Sequence, residues 1–155
     1  MVSVIKKINE LIIYCDDINE IPKSIDILTN LETLIISGET LHSIPPSIGN
    51  LTSLKALSLR GNKLTNLPES IGRLSSLKVL SLRKNKLVSL PESIGKLDSL
   101  ERLDLAYNPL NELVETIRNM ISLKEIVLDK KQTNEKKNKQ IIDFLRKKGV
   151  KIIRI

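Results

Sequence analysis

The feature that most constrains this chain is a repeat of 23 residues. Residues 51–73 read LTSLKALSLRGNKLTNLPESIGR, and residues 74–96 read LSSLKVLSLRKNKLVSLPESIGK, which is nearly the same text. The same interval delimits further copies at 5–27, 28–50 and 97–119, with a partial copy at 120–131. A fixed period of this length predicts a stacked array in which each copy forms one turn and packs on its neighbours.

Each copy carries apolar residues at the same seven positions. In the third copy these are Leu51, Leu54, Leu57, Leu59, Leu64, Leu67 and Ile71. Burying seven such side chains contributes roughly 1.5–3 kcal/mol each. Ordering the backbone opposes this at about 1–2 kcal/mol per residue along the whole copy. A single turn is therefore unstable by itself, and we expect the array to fold only as a set.

The repeated pattern is L-x-x-L-x-L-x-x-N-x-L, followed by L-P-x-S-I-G-x-L. The first half is identified as the leucine-rich repeat, and the second half resembles the repeats of the intracellular Ras-group-related leucine-rich repeat proteins. The resemblance implies an α/β solenoid. Its right-handed, curved, parallel sheet would form the concave face, and short 3-10 or helical turns would form the convex face. We expect one domain over residues 1–155.

Positions 6–10 of each copy are expected to form the strand, and an asparagine follows at position 12. Asn62, Asn85 and Asn108 hold this place, where an amide can both donate to and accept from buried turn backbone. Glu39 stands in the same column and cannot do both, so an altered turn is expected there.

The second half of each copy should form a short helical arm. Its prolines suit the first helical position, and its glycines would let the chain turn into the next copy. These residues are Pro22, Pro45, Pro68, Pro91, Gly49, Gly72 and Gly95. The fifth copy has Val114 and Arg118 at these two positions, and its arm is expected to form a longer helix.

The two ends of the array differ. Residues 132–155 predict a cap made of a helix over 134–148, a stop at Gly149 and a final strand. At the other end, residues 2–4 could add only a short strand, so the first layer is expected to be thinly covered.

Function should lie in the outward positions of the strands. Two groups are candidates for partner binding: a polar group, Arg60, Arg83, Lys84, Arg102 and Asp104, and an apolar group, Ile12, Tyr14 and Ile35. The arginines occupy matching positions in adjacent copies and could grip carboxylates. An acidic protein surface is the favoured partner.

Charge and composition narrow the alternatives. Residues 120–155 hold 11 Lys or Arg against 4 Asp or Glu, whereas residues 1–50 hold 3 against 7. Aromatic residues are 2% of the chain, which disfavours nucleic acid as the partner because aromatics would stack on bases. No metal, cofactor or catalytic site is expected, since no Cys/His cluster or glycine-rich phosphate loop is present.

Location follows from cysteine use and hydropathy. Cys15 is the only cysteine, so an internal disulfide is excluded, and no apolar run is long enough to span a membrane. We expect a reducing cytoplasm, or the host cytoplasm if the source is a virus.

Three functions remain open from the sequence. The first is a non-catalytic protein-binding scaffold that is monomeric or weakly self-associating. The second is a structural subunit of a self-associated or larger assembly, such as a viral one, formed through the thin N-terminal edge. The third is binding of nucleic acid or an anionic membrane through the basic C-terminal helix.

Overall fold

The computed structural model describes residues 8–14 and 17–155, so the expectations for Cys15 and for a strand at 2–4 lie outside the described residues. One parallel sheet runs through the described chain with its seven strands in sequence order. The strands are β1 (Glu10–Tyr14), β2 (Thr33–Ser37), β3 (Ala56–Ser58), β4 (Val79–Ser81), β5 (Arg102–Asp104), β6 (Glu125–Leu128) and β7 (Lys151–Arg154). The α/β leucine-rich repeat solenoid is confirmed.

The register of the sheet reproduces the period of the sequence. Leu57 pairs with Leu80, and Leu80 pairs with Leu103, so residues 23 apart are lateral neighbours. These three leucines are fully buried, whereas the residues on either side of each leucine reach the outer face of the sheet. Positions of the repeat therefore become columns across the sheet.

Five arms of 3-10 helix return the chain behind the sheet. They are Lys23–Ile27, Pro46–Asn50, Glu69–Arg73, Glu92–Lys96 and Glu115–Asn119. The prediction that the repeated prolines take the first helical position is wrong by one residue. Pro68 is extended, with ψ 149°, and its carbonyl oxygen accepts the first helical bond from the Ile71 N–H at 3.0 Å. The fixed φ of proline suits this extended cap as well as it suits a helix.

The role predicted for the arm glycines is also wrong. They are not turn residues, and they are needed because consecutive arms approach closely. A Cβ built on Gly72 would overlap the Ser93 carbonyl oxygen and lie 2.9 Å from the Ser93 Cβ. Gly49 and Gly95 meet the next arm in the same way. Only a residue without a Cβ permits this spacing between arms.

The fifth copy does not form the longer helix expected of it. Its arm, Glu115–Asn119, has five residues like the others, and Ile117 and Met120 donate bonds at the same i→i−3 spacing. Thr116 Oγ1 also donates to the Glu92 carbonyl oxygen at 2.8 Å. Packing on the preceding arm thus sets the helix type, and local propensity does not.

The asparagine column behaves as predicted. Asn85 Nδ2 donates to the Leu59 and Leu82 carbonyl oxygens at 2.8 and 2.9 Å, and its Oδ1 accepts from the Leu64 N–H at 3.1 Å. Asn62 and Asn108 make equivalent bonds in their turns. The altered turn at Glu39 is present, since this residue takes a left-handed φ of 56° one position later than Gly61, Lys84 and Tyr107 do in their copies.

A helical segment closes the C-terminal end. Helix α1 (Lys130–Asn134) begins with a capping box of Asp129 and Gln132, and α2 (Lys139–Lys147) buries Ile141, Ile142 and Leu145. The helix predicted over 134–148 is present but shorter, because α2 begins only at Lys139. Helix α1 was not predicted, and a 3-10 turn at Lys136–Asn138 joins it to α2. Gln132 continues the asparagine column by donating to the Leu105 carbonyl oxygen at 2.9 Å. The helix stop at Gly149 and the final strand are confirmed.

Close packing of the arms predicts that Gly72→Ala is strongly destabilising. The added methyl group must displace backbone atoms of Ser93, and we expect a loss of about 1–3 kcal/mol in the free energy of unfolding. Urea denaturation followed by circular dichroism measures it. Arg73→Ala is the matched control, because Arg73 is the next residue in the arm and is exposed. An equal midpoint for Gly72→Ala and the native chain would contradict the packing described.

Candidate protein-binding surface

The charges of one column on the sheet are paired with each other within the chain. Position 5 of successive copies holds Glu32, Lys55, Lys78, Glu101 and Lys124. The ammonium groups lie 2.8 Å from a carboxylate oxygen in Lys55–Glu32, 4.0 Å in Lys78–Glu101 and 2.5 Å in Lys124–Glu101. This column therefore presents paired charges.

The ion pairs of this column change the pKa of Glu101. The hydrogen bond and charge of Lys124, with a smaller effect of Lys78, hold the pKa of Glu101 below its usual value of 4.5. Because the pKa of Glu101 is lower in the folded chain than its usual value, its ion pairs stabilise the fold at pH values above that usual pKa. It is lost as the pH falls through the lowered pKa.

Two predicted binding residues are also engaged internally. Arg102 Nη1 forms an ion pair with Glu125, its direct partner in the register between β5 and β6. Asp104 Oδ1 accepts from the Ala106 N–H at 3.2 Å. Sequence reasoning missed the pairing, although Arg102 and Glu125 stand one period apart.

Within residues 8–14 and 17–155, the two other predicted arginines have no such carboxylate partner. Arg60 and Arg83 follow β3 and β4 at the same position, and the Gly61 N–H donates to the Arg83 carbonyl oxygen at 2.9 Å, which places the two turns side by side. Arg60 is exposed. The guanidinium carbon of Arg83 lies 4.8 Å from the centre of the Tyr107 ring. The arrangement is a cation–π contact, which orients the guanidinium without using its N–H groups as hydrogen-bond donors.

Three lysines adjoin these arginines where the strands end. Lys63, Lys84 and Lys86 line a groove of about 380 Å³ together with Glu39, Gly61, Asn62, Asn85 and Tyr107. We call Arg60, Lys63, Arg83, Lys84 and Lys86 the basic rim. None of the five forms an ion pair with a carboxylate in residues 8–14 or 17–155. Tyr107 contacts Arg83 and also lines the groove, but it was not among the predicted residues. Its position one repeat after Lys84 could have indicated that it lies beside the rim.

The predicted apolar residues lie at the opposite end of the sheet. Ile12 and Ile35 are direct partners between β1 and β2, and Tyr14 ends β1. Ile12 is 44% exposed and Tyr14 75% exposed. Below them, a cavity of about 760 Å³ opens at the first turn, lined by apolar residues that include Leu11, Ile13, Ile18, Ile25 and Leu28. Leu11, Ile13, Ile18 and Leu28 are only partly buried, whereas most of their counterparts in later turns are fully buried.

Comparison with known proteins agrees with this architecture. A family model described as a leucine-rich repeat region matches residues 47–148. The chain belongs to the leucine-rich repeat proteins. The narrower Ras-group-related family is not established by this match.

Solved structures of this repeat family are similar to the chain. A leucine-rich repeat protein of Leptospira interrogans is 38% identical with a TM-score of 0.68, over 72% of this chain and 30% of the other. A TDR receptor is 27% identical with a TM-score of 0.62, over 76% and 23%. The leucine-rich repeat ectodomain of the receptor kinase SOBIR1 from Arabidopsis thaliana is 26% identical with a TM-score of 0.58, over 79% and 67%.

Each match covers a larger share of this chain than of the solved structure. The leucine-rich repeat chain spans less than a third of the first two structures. No curated protein matches it by sequence. Family and neighbours support a protein-interaction module in general terms.

In the described part of the chain, no three His, Cys, Asp or Glu residues are grouped so that they could hold a metal ion. No described helix has the length and apolar character to cross a bilayer.

Proposed function

We propose that this leucine-rich repeat chain is a non-catalytic protein-binding module whose basic rim binds an acidic surface of a partner protein. The observation that carries the proposal is the contrast between two sets of cations. Lys55, Lys78 and Lys124 are paired with carboxylates of the chain. The basic rim has no acidic partner among the described residues, so its charges are available to another molecule.

The chemistry of the rim fits carboxylates of a protein. Arginine binds a carboxylate through two parallel N–H bonds, and Arg60 and Arg83 stand on adjacent turns roughly 5 Å apart, the ordinary spacing of neighbouring strands. Acidic side chains one helical turn apart have a similar separation of about 5–6 Å. Unpaired cations also steer an acidic partner toward the rim before contact. Arg102 and Asp104 border this surface and have a smaller part, because both are engaged within the chain.

The C-terminal helix supports binding of nucleic acid or anionic lipid less well. Lys148 Nζ donates to the Arg118 and Met120 carbonyl oxygens at 3.2 and 2.7 Å, which uses its charge to hold the cap on the fifth arm. Lys137 pairs with Glu112, and Arg146 pairs with Asp143. Part of the basic segment is therefore structural.

The proposal includes a cytoplasmic location. A single cysteine and the lack of cysteine-rich caps in this sequence suit a reducing compartment.

Charge reversal on the rim tests the proposal. We expect Arg60→Glu with Arg83→Glu to abolish capture of the partners that the native chain retains from its own cell extract, measured by affinity purification with quantitative mass spectrometry. The matched control is Arg73→Glu with Lys96→Glu, which changes the charge equally in the same two repeats at exposed positions of the arms. Retention of the same partners by the rim variant would contradict the proposal.

A second candidate is a structural subunit that assembles through its N-terminal end. The open cavity at the first turn and the exposed Ile12 and Tyr14 favour it. This candidate predicts concentration-dependent association in sedimentation equilibrium that Ile12→Lys weakens. A strictly monomeric native chain across the concentration range would exclude self-assembly of this kind.

A further inference from the structure

Resting on the proposed function, we infer that the groove of the basic rim receives a phosphorylated side chain of the partner, carried within an acidic segment. The groove is small, about 380 Å³, and lies where β3 and β4 end. That volume is near the lower limit of ligand pockets in proteins. It suits one side chain and the residues flanking it.

The charge of the lining matches a dianion. Lys63, Lys84 and Lys86 contribute three positive charges and Glu39 one negative charge, so the groove carries a net charge of +2. Asn62 and Asn85 also line it, but their amides are committed to the backbone of the turns. A phosphoryl group carries about −1.5 to −2 at neutral pH. A single carboxylate would leave one of the cations uncompensated.

The backbone at the groove adopts a left-handed conformation that is unfavourable for residues with a side chain. Position 11 takes a left-handed φ of 71° at Gly61, where glycine accepts it freely, but the next two copies have Lys84 at 56° and Tyr107 at 60°. A side chain in this region costs about 1–2 kcal/mol. Lys84 and Tyr107, the two residues in this conformation, both line the groove. Such strain concentrates at binding sites, because it fixes the direction of the side chains that contact the ligand.

Arg83 extends the site toward the flanking residues of the ligand. Its guanidinium lies over Tyr107, which also lines the groove, and its Nε is buried without a hydrogen-bond partner in the described chain. Arg60 lies exposed on the adjacent turn. A phosphorylated residue in the groove would therefore bring acidic neighbours onto the two arginines. A protein segment supplies both groups at once, which favours it over a lipid headgroup or a nucleic acid.

Model peptides test the inference. Fluorescein-labelled Gly-Glu-Glu-X-Glu-Glu-Gly is titrated with the whole chain and followed by fluorescence anisotropy, with X as phosphoserine, Glu or Ser. We expect the phosphoserine peptide to bind at least about tenfold tighter than the Glu peptide, because the second charge engages the lysines. Lys84→Ala with Lys86→Ala should reduce that preference to less than about twofold.

The matched control is Lys55→Ala with Lys78→Ala, which removes two cations that lie outside the groove, one from each of the two repeats that supply its lysines. It should keep the phosphoserine preference of the native chain. Circular dichroism checks that each variant is folded, and Lys63→Ala replaces the double variant if that one is not. Vesicles of phosphatidylcholine with and without phosphatidylinositol 4,5-bisphosphate, and polyuridylate, serve as other sources of phosphate.

The outcomes separate this inference from the proposed function. Equal affinity for the phosphoserine and Glu peptides overturns the phosphate site but leaves an acidic partner on Arg60 and Arg83. Tighter binding of vesicles or polyuridylate than of the phosphoserine peptide, lost in the Lys84 and Lys86 variant, overturns the assignment to a protein partner. No binding of any peptide by the folded native chain overturns both the inference and the acidic-partner proposal.

Discussion

The close approach of consecutive arms is the constraint on which the rest of the structure depends. At Gly49, Gly72 and Gly95 the carbonyl oxygen of the following arm occupies the space that a side chain would need. On the side of the strand ends, each buried asparagine joins its own turn to the preceding one. These two contacts set the distance between turns at both sides of the solenoid. The leucines fill the space between them and leave no freedom of register.

Because the register is fixed, residues 23 apart in the sequence lie side by side across the sheet. Charges one period apart become neighbours, so the signs of the residues 23 positions before and after a cation decide whether it is paired or available. Lys55 and Arg102 meet acids in adjacent copies, whereas Arg60 meets Arg83. The proposed binding surface therefore lies where the charges of neighbouring copies are not balanced. The basic rim is the place where that imbalance is greatest beside a groove.

Much of the fold was predictable because it depends on periodic burial. The strands, the asparagine column, the altered turn at Glu39 and the C-terminal cap follow from positions that must be apolar, must hydrogen-bond or must end the array. Two of the errors concern contacts between turns. A glycine in the sequence does not reveal whether it provides a left-handed turn or a close approach, and Gly72 provides the second. The fifth arm has a helix-forming sequence, yet packing on the fourth arm restricts it to a 3-10 helix.

The candidate site was predictable only in part, for the same reason. Arg60, Arg83 and Lys84 stand out as outward cations in adjacent copies. The pairing of Arg102 with Glu125 and the stacking of Arg83 on Tyr107 depend on side-chain conformations across neighbouring turns. Their spacing of 23 and 24 residues was a usable signal, because the register makes residues at that separation adjacent. The groove is lined by residues with left-handed backbone at position 11, a conformation that a lysine or a tyrosine in the sequence does not predict.

Hydrogen exchange at the Leu64 amide tests most directly whether buried asparagines join the turns. This N–H donates to Asn85 Oδ1, and the Leu87 N–H donates to Asn108 Oδ1 in the same way. In the native chain, both amides should exchange as slowly as the buried strand amides do. In Asn85→Ala, the Leu64 amide should lose this protection while the Leu87 amide keeps it. A Leu64 amide that exchanges in the native chain as fast as in an unfolded peptide would contradict the account.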